Sequence, residues 1–99
     1  MPAYLINDMV VTDPALLEEY KKLSPQTVAQ YGGRFLARGG RVERLEGEHE
    51  PQRLVILEFP DMDRARAWLA SPEYAPARAL RHKASRSNII LVEGVAPPA

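Results

Sequence analysis

The stretch from residue 53 to residue 60 carries apolar side chains at 54 to 57 and again at 59. Successive side chains of a β-strand point to opposite faces of its sheet. Leu54 and Ile56 therefore share one face, and the other face carries three apolar side chains: Val55, Leu57 and Phe59. The stretch predicts a strand that has a covering layer on both faces.

Other segments show strand or helix periodicity in a definite order. Residues 3–11 and 87–93 are rich in β-branched and aromatic types, which is typical of strands. Apolar residues three to four apart predict helices between 14 and 31 and from 62 to about 83. A further strand begins at Arg34, so the predicted order is β-α-β-β-α-β.

Capping residues followed by proline predict where helical segments begin. They occur as Asp13-Pro14, Ser24-Pro25 and Ser71-Pro72. The second pair lies inside a helical pattern and predicts a kink or a restart. Gly32-Gly33 predicts the end of the first helix, because the residue after a helix often adopts a left-handed conformation that glycine tolerates.

The pair Gly39-Gly40 has two interpretations. It is either a tight hairpin turn or a bulge that bends one long strand. The bent strand is favoured, because the alternation resumes with Val42 and Leu45 before a polar loop at 47–51.

The element order is that of a ferredoxin-like α+β domain, an antiparallel sheet with its helices on one side. We expect a single domain over residues 1–95, followed by a short tail at 96–99. Helices of one chain cover only one face of such a sheet, whereas the central strand is apolar on both faces. A large exposed apolar patch is rare in soluble monomers, so sheet-on-sheet packing in a homodimer is predicted.

The amino-acid composition argues against several classes of function. The 99 residues carry 13 basic and 13 acidic side chains, so the net charge of zero argues against a nucleic-acid binder. The absence of cysteine excludes disulfides, thiolate metal sites and a cysteine nucleophile. No apolar run approaches the roughly 20 residues of a membrane span, and the first residues do not resemble a signal peptide. A cytoplasmic protein without nucleic-acid or membrane partners is expected.

Glu58, Arg38 and Arg53 are candidate site residues on the predicted strands. Glu58 is a carboxylate in an apolar strand, on the face assigned to the dimer. It is either a general base or ligand anchor, or the partner of Arg38 or Arg53 in an ion pair. The planar donors of the two arginines suit a carboxylate ligand as well as a structural glutamate.

Tyr74, Arg78 and Tyr31 are candidates on the helices. Tyr74 and Arg78 begin a basic segment that is either an anion-binding face at the mouth of a pocket or a solvated helix C-terminus. Tyr31 belongs to a set of aromatic residues that either line a ligand site or pack in the core, together with Tyr4, Tyr20 and Trp68. His49 between two glutamates is a poor metal site by itself, so neither a metal nor a cofactor is expected.

Several segments resemble, in order and over nearly the whole chain, the domain-of-unknown-function family numbered 1330. They are Val11-Thr12-Asp13-Pro14, Tyr31 to Gly40, Leu45-Glu46-Gly47, Arg53-Leu54-Val55, Glu58-Phe59-Pro60, Ser71-Pro72-Glu73-Tyr74 and Glu93-Gly94. The resemblance implies a dimeric α+β barrel, in agreement with the burial pattern. It implies no established activity, because the wider superfamily includes cofactor-free oxygenases, lactone isomerases, haem enzymes and plain ligand binders.

Three hypotheses follow for the function. The first is an enzyme or binder of a small anionic or aromatic metabolite, with a cavity between sheet and helices that Tyr74 and Arg78 close. The second is a non-catalytic dimeric module in which the polar residues form structural pairs. The third is a cofactor-free oxygenase, which rests on superfamily analogy alone.

Overall fold

A computed structural model describes residues 1–96 of the chain, and it confirms the predicted order of elements. These are β1 (Ala3–Val11), α1 (Pro14–Gln30), β2 (Arg34–Arg38), β3 (Arg53–Phe59), α2 (Met62–Ala70), α3 (Ala75–Ala84) and β4 (Ser85–Glu93). The second helical region contains two helices, which separate at the predicted Ser71-Pro72 pair. The predicted tail at 96–99 lies outside the described residues from position 97 onward.

The four strands form one antiparallel sheet in the order β2-β3-β1-β4. The strand at 53–59 is therefore an inner strand, as its apolar pattern predicts. The chain has the α+β, ferredoxin-like fold that the sequence indicates.

The core lies between the helices and one face of the sheet, around Trp68. The Trp68 ring centroid is 5.6 Å from that of Phe59 and 4.1 Å from that of Tyr74. The Trp68 Nε1 donates a hydrogen bond of 3.0 Å to Thr27 Oγ1 in α1. This bond satisfies a buried polar group that would otherwise destabilise the core.

The first turns of α1 and α2 are each capped by an aspartate. Asp13 accepts a hydrogen bond from the Leu16 amide at 3.2 Å. Asp61 accepts one from the Arg64 amide at 2.7 Å. In each case a carboxylate satisfies an amide that has no partner within the helix.

The predicted restart at Ser24-Pro25 does not occur, because α1 continues through Pro25 to Gln30. Proline has no N–H to donate to the carbonyl four residues earlier, which is that of Lys21. That carbonyl instead accepts a hydrogen bond of 2.9 Å from Arg38 Nη2 on β2. A side chain from the sheet thus satisfies the group that the proline leaves free.

Neither interpretation of Gly39-Gly40 describes the structure. Strand β2 ends at Arg38, and residues 39–52 form neither helix nor strand. The favoured bent strand fails because the pairing with β3 stops at Gly39, whose amide donates to the Leu54 carbonyl at 3.0 Å, and because Leu45 is 85% exposed. The irregularity in β2 lies earlier, where the register with β3 shifts between Phe35 and Ala37.

The second face of the sheet, here called the outer face, has no helix over it within residues 1–96. Leu54 and Ile56 on this face are half-buried, beside the segment at 40–43. Ile90 and Val92 of β4 are 61% and 48% exposed. The outer face is therefore the uncovered apolar surface that the sequence predicts.

Candidate ligand-binding cavity

A cavity lies between helix α1 and the helix-covered face of the sheet. Its walls are largely apolar, and six polar side chains also line it: Asn7, Tyr20, Lys21, Ser24, Arg38 and Arg53. It encloses about 420 Å³ of space between atoms, a figure that includes open solvent at its edge. Water centres can occupy only about 20 Å³ of it, so the closed interior holds one or two water molecules.

Strand register explains why polar groups meet at this place. Asn7 on β1 lies opposite Val55 on β3, and Val55 lies opposite Arg38 on β2. Arg53 lies opposite Met9, one step further along the same face. Diagonal neighbours of this kind are about 7–8 Å apart, so a single small molecule can reach both Asn7 and Arg53.

Two buried polar atoms in the cavity have no hydrogen-bond partner among the described residues. They are Asn7 Oδ1, an acceptor, and Arg53 Nε, a donor. Asn7 as a whole is only 5% exposed. Because a buried polar atom without a partner costs about 1–3 kcal/mol, these atoms mark a place where a water or a ligand atom is expected.

Arg38 forms the solvent edge of the cavity. It is an exposed residue, and its guanidinium carbon lies 4.6 Å from the centroid of the Phe35 ring. Its hydrogen bond to the Lys21 carbonyl joins β2 to α1.

Gly39 lets the Arg53 side chain reach its position. The residue has a left-handed backbone with a φ of 70°. A Cβ atom built on it would collide with the Arg53 guanidinium. Glycine is thus required here for two reasons, the backbone conformation and the passage of an arginine.

Tyr20 connects the cavity with a buried hydrogen-bonded group on α3. Its hydroxyl lies 2.8 Å from that of Tyr74, and Arg81 Nε donates to the Tyr74 hydroxyl at 3.1 Å. Burial, followed by the adjacent Tyr74, raises the pKa of Tyr20 above its ordinary value. The phenol is therefore a neutral donor at physiological pH.

Arg38 and Arg53 are the predicted site residues that meet at the cavity. Tyr74 does not line it, because its ring lies buried in the core behind Tyr20. Arg78 lies elsewhere, where its Nη1 donates to the Leu69 carbonyl at 2.7 Å beside a shallow surface depression. Tyr74 and Arg78 consequently do not form the mouth that the first hypothesis assigned to them.

Tyr31 and Glu58 also lie away from the cavity. The Tyr31 hydroxyl donates to Glu73 Oε2 at 3.2 Å near the surface. Glu58 is on the outer face, where Arg34 Nη2 lies 3.3 Å from both of its carboxylate oxygens. The predicted partners of Glu58 were wrong, because Arg34 is directly opposite it in register whereas Arg38 and Arg53 face the helices.

Asn7 is the cavity residue that the sequence analysis missed. The inward-facing positions of β1 are Ala3, Leu5, Asn7 and Met9. The single amide among these apolar side chains was visible in the sequence and could have marked Asn7 as a candidate. Ser24 was interpreted only as part of a cap, although it also lines the cavity.

No helix within residues 1–96 has the length and apolar character to cross a membrane. The same residues contain no group of three or more His, Asp or Glu side chains placed to hold a metal ion.

The sheet, its one-sided helical layer and the cavity between them define a ferredoxin-like α+β protein. The chain belongs to the family described as Domain of unknown function (DUF1330), whose model matches residues 2–95. The resemblance noted in the sequence is thereby confirmed. No curated protein matches the chain significantly.

Solved structures with similar folds come from several organisms. A protein of unknown function from Rhodopseudomonas palustris has a TM-score of 0.75 and 19% identity, over 97% of this chain and 84% of that one. A cofactor-independent oxygenase from Streptomyces nogalater has a TM-score of 0.66 and 20% identity, over 97% and 95%. A dimeric ferredoxin-like protein of unknown function from Jannaschia sp. CCS1 has a TM-score of 0.65 and 12% identity, over 95% and 100%. At these identities the likeness shows the fold alone.

Proposed function

We propose that the protein is a homodimeric α+β barrel whose cavity binds a small planar metabolite, largely apolar and with one or two oxygen groups. The observation that carries the proposal is the pair of buried unpartnered atoms, Asn7 Oδ1 and Arg53 Nε. A ligand oxygen would accept from Arg53 Nε, and a ligand hydroxyl or a retained water would donate to Asn7 Oδ1. Each such atom lowers the stability of the ligand-free protein, and a bound ligand is the partner that the geometry favours.

The remaining walls fit a planar organic molecule. Phe35 and Trp68 supply aromatic surfaces, and aliphatic side chains of the sheet supply most of the rest. Apolar walls with a few placed polar groups are the usual composition of a small-molecule site. Entry would require Arg38 to leave the Lys21 carbonyl, since the closed interior holds only one or two waters.

The homodimer in this proposal rests on the outer face. Ile90, Val92 and Leu36 expose large apolar areas there or at its edge, and no helix of this chain lies over the face. A second copy would cover it by sheet-on-sheet packing. The similar protein from Jannaschia sp. CCS1 is described as dimeric.

A thermal-shift screen followed by titration calorimetry tests the binding proposal. The panel contains benzoate, salicylate, 2-naphthol and 2-naphthoate, and a ligand at a hundredfold excess over its Kd stabilises a protein by about 2.7 kcal/mol. Arg53→Met is expected to weaken binding about tenfold or more, because a hydrogen bond to a charged group contributes about 1.5–3 kcal/mol.

Arg66→Met is the matched control, since Arg66 is an exposed arginine that pairs with Asp63 on the surface of α2. Equal affinities for both variants would contradict the cavity as the binding site. A complete absence of binding would favour the non-catalytic module, with waters at the two unpartnered atoms. Oxygen uptake with the same panel tests the oxygenase alternative.

A further inference from the structure

The hydrogen bonds that end at Tyr20 have a fixed direction. A guanidinium can only donate, so the Tyr74 oxygen accepts from Arg81 Nε at 3.1 Å. The hydroxyl proton of Tyr74 then needs an acceptor, because Tyr74 is 0% exposed. The only other hydrogen-bond partner of this hydroxyl among residues 1–96 is the Tyr20 hydroxyl, at 2.8 Å.

The direction of these bonds turns the Tyr20 proton toward the cavity wall, where Ser24 lies within hydrogen-bond reach of the Tyr20 hydroxyl. Tyr74 donates to the Tyr20 oxygen, so the proton of Tyr20 points away from Tyr74. Tyr20 lines the cavity together with Ser24. The Tyr20 O–H is therefore a hydrogen-bond donor at the cavity wall. The buried Arg81 guanidinium, which is joined to it through Tyr74, polarises this donor.

Arg81 is a buried cation without a carboxylate partner among the described residues. It is only 5% exposed, and no carboxylate lies within ion-pair distance of it among the described residues. Its side-chain partners are the Tyr74 hydroxyl and the ring of His82, with Nη2 to Nε2 at 3.3 Å. A buried charge without an opposite charge is costly, and an anionic oxygen in the nearby cavity would reduce that cost.

We propose that Tyr20 is the donor that binds the ligand's oxygen, held in its donating orientation by Arg81 through Tyr74. Tyr20 would contact the ligand, whereas Tyr74 and Arg81 are positioning residues. The ligand class that fits is a planar apolar molecule with a carboxylate, phenolate or enolate oxygen. This inference rests on the proposed function and adds the chemical group that the cavity selects.

The test compares benzoate with benzamide, which has the same shape and no charge. Calorimetric affinities are measured for the wild type and for Tyr20→Phe, Tyr74→Phe, Arg81→Met and Arg81→Lys. Wild type is expected to bind benzoate at least about tenfold more tightly than benzamide. Tyr20→Phe should weaken benzoate about tenfold to hundredfold and benzamide clearly less, because hydrogen bonds to charged acceptors are stronger.

For the positioning residues Tyr74 and Arg81, the quantity to measure is the ratio of the affinity for benzoate to the affinity for benzamide. Tyr74→Phe and Arg81→Met are expected to lower the preference for benzoate by about threefold to tenfold, and Arg81→Lys to restore part of it. A purely structural role would weaken both compounds alike. Tyr31→Phe, which removes a hydroxyl bonded to Glu73 at the surface, is the matched control and should leave the ratio unchanged.

The outcomes separate this inference from the proposed function. If no compound of the panel binds the wild type, the proposed function fails and this inference fails with it. If the wild type binds another compound of the panel but neither benzoate nor benzamide, only this inference is overturned. If both compounds bind but Tyr20→Phe leaves their ratio unchanged, only this inference is overturned. Circular dichroism checks the fold of each variant, and should Arg81→Met not fold, an unchanged ratio in Tyr74→Phe is sufficient to overturn the inference.

Discussion

Asn7 is the residue at which stability and binding oppose each other. Its neighbours on the same face of β1, Leu5 and Met9, are apolar and fully packed. An amide at this place leaves a buried acceptor without a partner in the ligand-free protein. A leucine has the same branching and a greater volume, and it would extend into the cavity without that penalty.

Asn7→Leu is therefore expected to raise the free energy of unfolding by about 1–3 kcal/mol and to abolish ligand binding. Urea denaturation and calorimetry measure the two effects. Asn7→Asp, which keeps the size and adds a charge, is the control and should lower stability. A leucine variant that is less stable than the wild type would show that the Asn7 amide has a structural partner.

Residue types by themselves predicted part of the site. Arg38 and Arg53 could be selected because arginines in strands are unusual and suit an anionic ligand. The roles of Tyr20, Tyr74 and Arg81 could not be predicted, because the Tyr20–Tyr74 hydrogen bond joins α1 to the start of α3 across 54 residues. Only the packing of the two helices decides which hydroxyls meet.

At the scale of elements, two irregular positions shape the cavity. Pro25 in α1 frees the Lys21 carbonyl for Arg38, and Gly39 after β2 leaves room for Arg53. Proline is unfavourable inside a helix, and the left-handed backbone of Gly39 lies outside the range of a regular strand. In each case the departure from regular structure positions an arginine of the cavity.

Pro25→Ala should restore an intrahelical hydrogen bond to the Lys21 carbonyl and weaken its bond with Arg38. We expect the free energy of unfolding to rise by about 1–3 kcal/mol, since proline costs about 3 kcal/mol inside a helix. Ligand association, measured by stopped-flow fluorescence of Trp68, should become faster. Pro76→Ala in the first turn of α3 is the control and should change neither quantity appreciably.

Gly39→Ala should cost stability and weaken ligand binding together. The left-handed backbone costs about 1–2 kcal/mol for a residue with a Cβ, and the added methyl group would displace the Arg53 guanidinium. Gly47→Ala is the matched control, because Gly47 has a φ of 88° but no atoms within 4 Å of the added Cβ. Equal losses of affinity in both variants would contradict the role of Gly39 in placing Arg53.

At the scale of the whole molecule, the apolar pattern predicted nearly all of the fold. Alternation along β1, β3 and β4 predicted both faces of the sheet, and Asp13-Pro14 predicted the start of α1, whereas Ser24-Pro25 started no new helix. The segment at 39–52 was predicted wrongly, since Val42 lies beside Leu54 and Ile56 without forming a strand and Leu45 is 85% exposed. Local pattern cannot reveal a missing partner.

The proposed homodimer gives a prediction at this scale. Ile90→Glu on the outer face is expected to convert the dimer to a monomer, because a charge buried between two sheets without a partner is strongly unfavourable. Size-exclusion chromatography with light scattering measures the mass. Leu23→Glu on α1, where Leu23 is 44% exposed on the helical side, is the control and should leave the dimer intact; a wild-type protein with the mass of one chain would contradict the proposal.

The cavity lies under the helices, on the opposite side of the sheet from the outer face. In a dimer built through the outer faces, two whole sheets would separate the two sites, and each chain would own a complete set of binding groups. Ligand uptake should then be one molecule per subunit without cooperativity. A mixed dimer that pairs one Arg53→Met chain with one wild-type chain should consequently retain half of the binding capacity at unchanged affinity.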